Sequence, residues 1–104
     1  MFQALKSIFS TKEPVDFKEL LKNGASIIDV RTLGEFKGGH IKGSKNIPLQ
    51  TLQNNFKKID QSKPVIVCCA SGARSSSAKR LLESNGFTDV YNGGGWQILD
   101  YQLQ

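Results

Sequence analysis

Cys68 and Cys69 stand side by side at the end of the most apolar run of the chain, Pro64-Val65-Ile66-Val67-Cys68, and Ala70-Ser71-Gly72-Ala73-Arg74 follows them. Small residues let successive main-chain N–H groups turn inward around one point and form an anion nest. Helical spacing resumes at Ser75, so the loop opens onto a helix N-terminus, whose unpaired N–H groups and positive dipole end favour negative charge. A cysteine sulfur above such a cradle is held as thiolate, since helix N-termini lower a thiol pKa to roughly 3.5–7.5. A thiolate is a nucleophile that needs no histidine base. The spacing therefore predicts a reactive Cys69 whose sulfur is open to solvent. An inert buried thiol is the alternative for any cysteine, and the loop after this one argues against it.

Neighbouring side chains on an extended run point to opposite faces, so Cys68 and Cys69 are poorly placed to bridge each other. Cys68 is expected to be a packed core thiol; its other role, resolving an oxidised Cys69, meets the same opposed directions. With 2 cysteines and 1 histidine in the chain, a disulfide framework and a zinc site built on cysteine pairs are excluded. No cofactor or metal is expected. His40, in Gly38-Gly39-His40-Ile41, reads as a structural turn residue rather than the base of a Cys–His pair. Asp29 and Arg31 fall near the same rim and are expected to support the site, with Asp29 accepting from loop N–H groups or pairing with Arg74. Trp96 and the Gly93 to Gly95 turn would line the pocket mouth, although a core tryptophan is the commoner case.

Positioning these groups requires a scaffold, and the patterning supplies one. Phe2, Leu5, Ile8 and Phe9 have helical spacing and predict a short docking helix, joined by a linker through residue 13 to a core at 14–104. Asp16 caps a helix carrying Phe17, Leu20 and Leu21 that stops at Gly24. Ser26 to Val30 reads as a buried strand, Thr32 to Phe36 as a short helix, and Lys45 to Ile47 as a second brief strand. Pro48 opens a helix with Leu49, Leu52 and Phe56 on one face. After the strand at Pro64–Cys68 comes a helix at Ser75–Ser84, in which Ala78, Leu81 and Leu82 share a face. Phe87 to Tyr91 then predicts a strand, Asn92 to Gly95 a turn, and Trp96 to Leu103 a closing helix. Strands alternating with helices, each strand a near-continuous apolar run, predict one α/β domain with a central parallel sheet covered by helices on both faces. Ligands in such sheets bind beyond the carboxyl ends of the strands, where Asp29, Cys69 and the glycine turn all fall.

Composition sets the remaining bounds. The 104 residues include 14 Lys and Arg against 9 Asp and Glu, a net charge of +5, with 38% hydrophobic and 22% charged residues. That length suits a single core. Lys57-Lys58 and the pair Lys42/Lys45 are isolated, with no interleaved aromatics, so no nucleic-acid partner is expected. No apolar run approaches the roughly 20 residues of a membrane-spanning helix. The N-terminus lacks the apolar core of a secretory signal, and free thiols point to a reducing, cytoplasmic setting.

The stretch Cys69, two residues, Gly72, one residue, Arg74 resembles the active-site loop of rhodanese domains, the sulfurtransferases. Asp29-Val30-Arg31, Glu35-Phe36, Gly39-His40-Ile41, Gly43 and Asn46-Ile47-Pro48-Leu49 are similar to that family's first signature, and Gly94-Gly95-Trp96 to its final glycine-tryptophan turn. The resemblance runs from about Val15 to the end. It implies a rhodanese-like three-layer domain that moves sulfane sulfur from a persulfide or thiosulfate to a thiol or cyanide through a Cys69 persulfide. It further implies that the N–H groups of Ala70, Ser71, Gly72, Ala73 and Arg74 hold the persulfide anion, while Arg74 fixes the loop or contacts an anionic donor. Many thiosulfate-using members have a basic residue directly after the cysteine. Ala70 stands there, which favours a protein or low-molecular-weight persulfide as donor. A monomer acting on a small anionic donor and a thiol acceptor is expected.

Two other functions are kept. Phosphatases and arsenate reductases of related fold use Cys, five residues, Arg, a spacing met by counting from Cys68 to Arg74; Gly72, three places after Cys69, favours the sulfurtransferase register. A non-catalytic interaction module of the same fold is the third, since fold does not fix activity.

Overall fold

The computed structural model describes residues 14–104, and the docking helix expected at 2–9 lies outside the described residues. Asp16 opens helix α1 (Phe17–Lys22) by accepting the Glu19 N–H at 3.1 Å. Strand β1 (Ser26–Asp29) follows, then helix α2 (Leu33–Lys37), whose start is a full capping box between Thr32 and Glu35. Strand β2 is only Lys45–Asn46. Helix α3 (Leu49–Leu52) is shorter than the Leu49/Leu52/Phe56 spacing implied, and a separate 3₁₀ turn holds Phe56–Lys58. The break falls at Gln53-Asn54-Asn55, where the Asn55 side chain donates to the Thr51 carbonyl at 2.7 Å and competes with continued helix.

Strand β3 (Val65–Cys69) is buried at every residue. Helix α4 (Ala73–Ser84) starts two residues before the predicted Ser75, strand β4 spans Val90–Gly95, and helix α5 is Trp96–Gln102. The strand expected at Phe87–Tyr91 and the turn expected at Asn92–Gly95 are thus corrected: the strand includes the glycines. Main-chain pairing with β3 needs no side chain, so apolar patterning misses it; Val67 pairs with Asn92, Cys68 with Gly94 and Cys69 with Gly95. Phe87 is buried outside any strand, with its ring centroid 5.8 Å from that of Phe56.

Among the described residues all four strands are parallel, in the order β2-β1-β3-β4. Alternation along β1 and β3 splits the core in two. Ile28, Val30, Val65, Val67 and Cys69 face α3 and α4 through Leu52, Ala78 and Leu82. Ile27, Ile66 and Cys68 face α1 and α5 through Phe17, Leu20 and Leu99. The chain is therefore the three-layer α/β domain that the sequence predicted. The connection leaving β1 leads to β2 on one side and that leaving β3 leads to β4 on the other, which makes the β1/β3 carboxyl end the topological switch point where a crevice forms. No helix among the described residues is long and apolar enough to cross a membrane.

The β3–β4 register slips between Val67 and Cys68, leaving Gly93 as the extra residue of a bulge. A Cβ on Gly93 would lie 2.8 Å from Leu99 Cδ2 and 3.0 Å from Ile66 Cγ2, both fully buried. Gly93→Ala should therefore overpack the α5 face and lower stability by about 1–3 kcal/mol in chemical denaturation, whereas Gly43→Ala has open space and pays only for its backbone conformation.

Candidate active site

β3 delivers Cys69 to the rim at the switch point, and the next residues reverse the chain. Gly72 makes the reversal possible with φ +106°, a left-handed conformation that residues with a Cβ rarely adopt, and it is the N-cap of α4. Its N–H then points back at Cys69 Sγ, 2.9 Å away, and the Ser75 N–H approaches the same sulfur at 3.4 Å. The Ser75 hydroxyl lies 3.5 Å from Sγ. Burial pushes the Cys69 pKa up, but the hydrogen bond with the Ser75 side chain and those from the N–H groups of Ser75, Gly72 and Ser71 outweigh it, so the net shift is below the ordinary 9.0.

The sulfur is not open to solvent as the sequence suggested: Cys69 is 1% exposed. It belongs to the strand's buried face, and small exposed residues, Ala70, Ser71 and Ala73, cover it. The amides on the sulfur are those of Gly72 and Ser75, with a contribution from Ser71, rather than the whole expected run from Ala70 to Arg74. Cys68 behaves oppositely. It faces the α1/α5 layer, and burial, reinforced by the negative charge of Asp29, pushes its pKa up to about 12. The two free thiols therefore sit in different layers of the protein.

Arg74 Nη1 and Nη2 donate to the two carboxylate oxygens of Glu35 at 2.8 and 3.0 Å. Glu35 belongs to α2, which follows β1, and Arg74 to α4, which follows β3, so this fork spans the switch-point crevice. The Arg74 contact, with help from Thr32, brings the Glu35 pKa from 4.5 to about 2. Asp29 does not pair with Arg74 and accepts nothing from the cysteine loop, correcting the sequence expectation. Its carboxylate instead holds Arg31 Nε and Nη2 at 2.7–3.1 Å and the Arg31 N–H at 3.0 Å. The reason is local: two residues apart at a strand end, Asp29 and Arg31 close a fork that a distant Arg74 cannot displace. Arg31 Nη2 also donates to the Gly39 carbonyl at 2.7 Å, and its guanidinium stacks 4.8 Å from the Trp96 ring centroid. This ties α2, the Gly39 turn and α5 to β1.

His40 has a structural place: its Nδ1 lies 2.8 Å from the Phe36 carbonyl oxygen and its ring stacks on Phe36 at 3.7 Å. Three groups in the site were not singled out from the sequence. Glu35 appeared only within a signature, Ser75 only as a helix start, and Asn92 only as a turn residue. A serine in the first turn of the helix that follows the loop cysteine is the available signal for Ser75; Glu35 and Asn92 depend on tertiary packing. A cleft of about 340 Å³ lies at the other end of the sheet, lined by Leu21, Ser26, Ile41 and Leu103, and takes no part in this geometry.

Fold and loop together define a parallel α/β domain with a cysteine sulfur held by main-chain N–H groups at its switch point. Residues 13–97 match the Rhodanese-like domain family, and the chain belongs to it. It is 36% identical over 93 residues to the thiosulfate sulfurtransferase GlpE of Ectopseudomonas mendocina (strain ymp), covering 88% of this chain and 85% of that protein. It is 46% identical over 68 residues to the uncharacterized protein YqhL of Bacillus subtilis (strain 168), covering 65% of this chain but only 54% of that protein's length. A rhodanese-related protein from Thermoplasma volcanium superposes with a TM-score of 0.72 at 32% identity, over 86% of this chain and 93% of that one.

Two measurements check this geometry. Brief iodoacetamide treatment of the folded protein at neutral pH, read by peptide mass, should alkylate Cys69 and leave Cys68 untouched until denaturant is added. The Glu35 carboxylate has its pKa lowered on folding, so its contribution to stability is full above 4.5 and is lost as pH falls through about 2. The stability difference between wild type and Glu35→Gln should accordingly be constant at neutral pH and vanish across that acid window.

Proposed function

We propose that Cys69 is the nucleophile of a sulfurtransferase and carries sulfane sulfur as a persulfide. The Cys69 thiolate attacks the outer sulfur of a donor R–S–SH; a new S–S bond forms, the old one breaks, and R–S⁻ leaves with the bonding electron pair. An acceptor thiolate or cyanide then attacks the outer sulfur of the Cys69 persulfide, giving a new persulfide or thiocyanate and returning the Cys69 thiolate. Both steps are thiol–disulfide exchange with altered leaving groups. The observation that supports this reading best is the 2.9 Å Gly72 N–H contact on a sulfur whose pKa is lowered. N–H groups fixed before reaction stabilise negative charge without reorganising.

The donor class follows from the charges around the loop. Ala70 is neutral, Arg74 is engaged at both ends by Glu35, and Arg31 is engaged by Asp29. With those cations committed, a dianionic donor such as thiosulfate gains little, and a low-molecular-weight or protein-bound persulfide suits the site better. In this reading Arg74 shapes the loop rather than binding substrate, while Ser71 and Gly72 hold the transferred sulfur. The phosphatase register from Cys68 to Arg74 is disfavoured because the Cys68 sulfur faces the α1/α5 layer, away from Arg74.

Intact mass after incubation with glutathione persulfide tests the proposal. The expected result is a gain of one sulfur that cyanide removes, retained in Cys68→Ser and absent in Cys69→Ser, with thiosulfate loading more slowly. No sulfur gain from any donor, with the fold intact, would contradict it and leave an interaction module; turnover of an aryl phosphate would favour the phosphatase.

A further inference from the structure

Behind the Cys69 sulfur lies a short polar chain that no other part of the site uses. The Ser75 Oγ lies 3.5 Å from Cys69 Sγ, 3.0 Å from the Gly72 carbonyl oxygen and 2.6 Å from Asn92 Oδ1. The Gly94 N–H donates to the same Asn92 atom at 2.8 Å. That contact settles its identity: an atom receiving a main-chain N–H is the side-chain oxygen and not the amide nitrogen, and an oxygen can only accept. At 2.6 Å the Ser75 hydroxyl must therefore be the donor, and a hydroxyl has one proton to give. Ser75 then presents a lone pair to Cys69, which suits an S–H and does not suit a thiolate.

Asn92 reaches this position through the β4 bulge. It stands two residues after Val90, whose side chain lies in the α4-side core, so it points to the same layer. The Asn92 to Gly94 contact locks its rotamer at the irregularity around Gly93. Asn92 is exposed while Ser75 and Cys69 are buried, so a surface side chain is linked to the buried sulfur through one hydroxyl.

We propose that Asn92 is a positioning residue that keeps Cys69 strongly nucleophilic by holding the single Ser75 proton away from its sulfur. The cradle of N–H groups makes the thiolate accessible near neutral pH, and Asn92 limits how far it is stabilised. The limit matters because thiolate nucleophilicity falls as its pKa falls, with a Brønsted slope of about 0.4–0.5. Freed from Asn92, the Ser75 hydroxyl turns to the charged sulfur in preference to the neutral Gly72 carbonyl, since ionised acceptors bind the proton more strongly. The charged pairs beside the loop, Arg74 with Glu35 on α2 and Arg31 with Asp29 on β1, are altered by neither partner of this link. The idea rests on Cys69 as the sulfur-carrying group, but its test reads the free thiol with no donor present and so is separable from sulfur transfer.

The experiment is a double-mutant cycle in a Cys68→Ser background, following thiolate absorbance near 240 nm against pH, with iodoacetamide rates above the midpoint. Asn92→Ala should lower the Cys69 midpoint by about one pH unit and reduce the limiting alkylation rate about threefold. Ser75→Ala should lower the midpoint, because it removes the lone pair that favours the S–H, and adding Asn92→Ala to it should change nothing further. Asn92→Asp, which keeps both the acceptor and the bond to Gly94, covers the case in which Asn92→Ala does not fold. It should raise the midpoint more with Ser75 present than in Ser75→Ala. An unchanged or raised midpoint in folded Asn92→Ala would overturn the proposal. Equal shifts with and without Ser75, for either substitution, would do the same by showing that Asn92 acts through the Gly94 turn or through its charge.

Discussion

The contact between main-chain amides and the Cys69 sulfur is the interaction on which the proposed function of this domain depends. Cys69 is almost wholly removed from water, which by itself raises the thiol's pKa; the Ser75 side chain and the N–H groups of Ser75 and Gly72 bring it back below the ordinary 9.0. Main-chain donors have a particular use here. They supply no net charge, so the loop offers a place for one sulfur anion without attracting the larger anions that a lysine or a free arginine would recruit. Both arginines near the site are instead consumed in forks with carboxylates, one tying the strand end to the Gly39 turn after α2 and the other tying α2 to α4.

Those forks explain how a small sheet holds a loop so tightly. The switch point lies between β1 and β3, and chain leaving it runs in opposite directions, so nothing in the sheet itself joins α2 to α4. Glu35 and Arg74 make that join across a separation of 39 residues. Because Glu35 is also the acceptor of the α2 capping box, the start of α2 and the start of α4 are fixed by one carboxylate. The nest geometry thus depends on residues in three separate parts of the chain.

Much of this was legible in the sequence, and the reasons are specific. Buried parallel strands such as Val65–Cys69 are apolar throughout, so length and flanking residues suffice to find them. The small-residue loop with Gly72 announced a chain reversal over an anion site, and the opposed directions of Cys68 and Cys69 follow from strand alternation alone. What escaped was set by pairing rather than by side-chain pattern. Asn92 to Gly95 read as a turn because glycines carry no apolar signal, yet β3 recruits them by their backbones. Asp29 is expected from sequence to accept from loop N–H groups or to pair with Arg74, because they share one rim of the sheet, and only the closed local fork with Arg31 shows otherwise. The burial of the Cys69 sulfur was equally invisible, since it depends on how closely α4 packs on β3.

Amide chemical shifts offer the most direct test of the central claim. In ¹⁵N–¹H spectra recorded against pH, the Gly72 and Ser75 N–H signals should move downfield together as the Cys69 thiol ionises, with a shared midpoint below the ordinary 9.0, and should stay still in Cys69→Ser. Amides at 72 and 75 that do not titrate, or that follow a midpoint of 9.0 or higher, would contradict an account in which they hold the sulfur's negative charge.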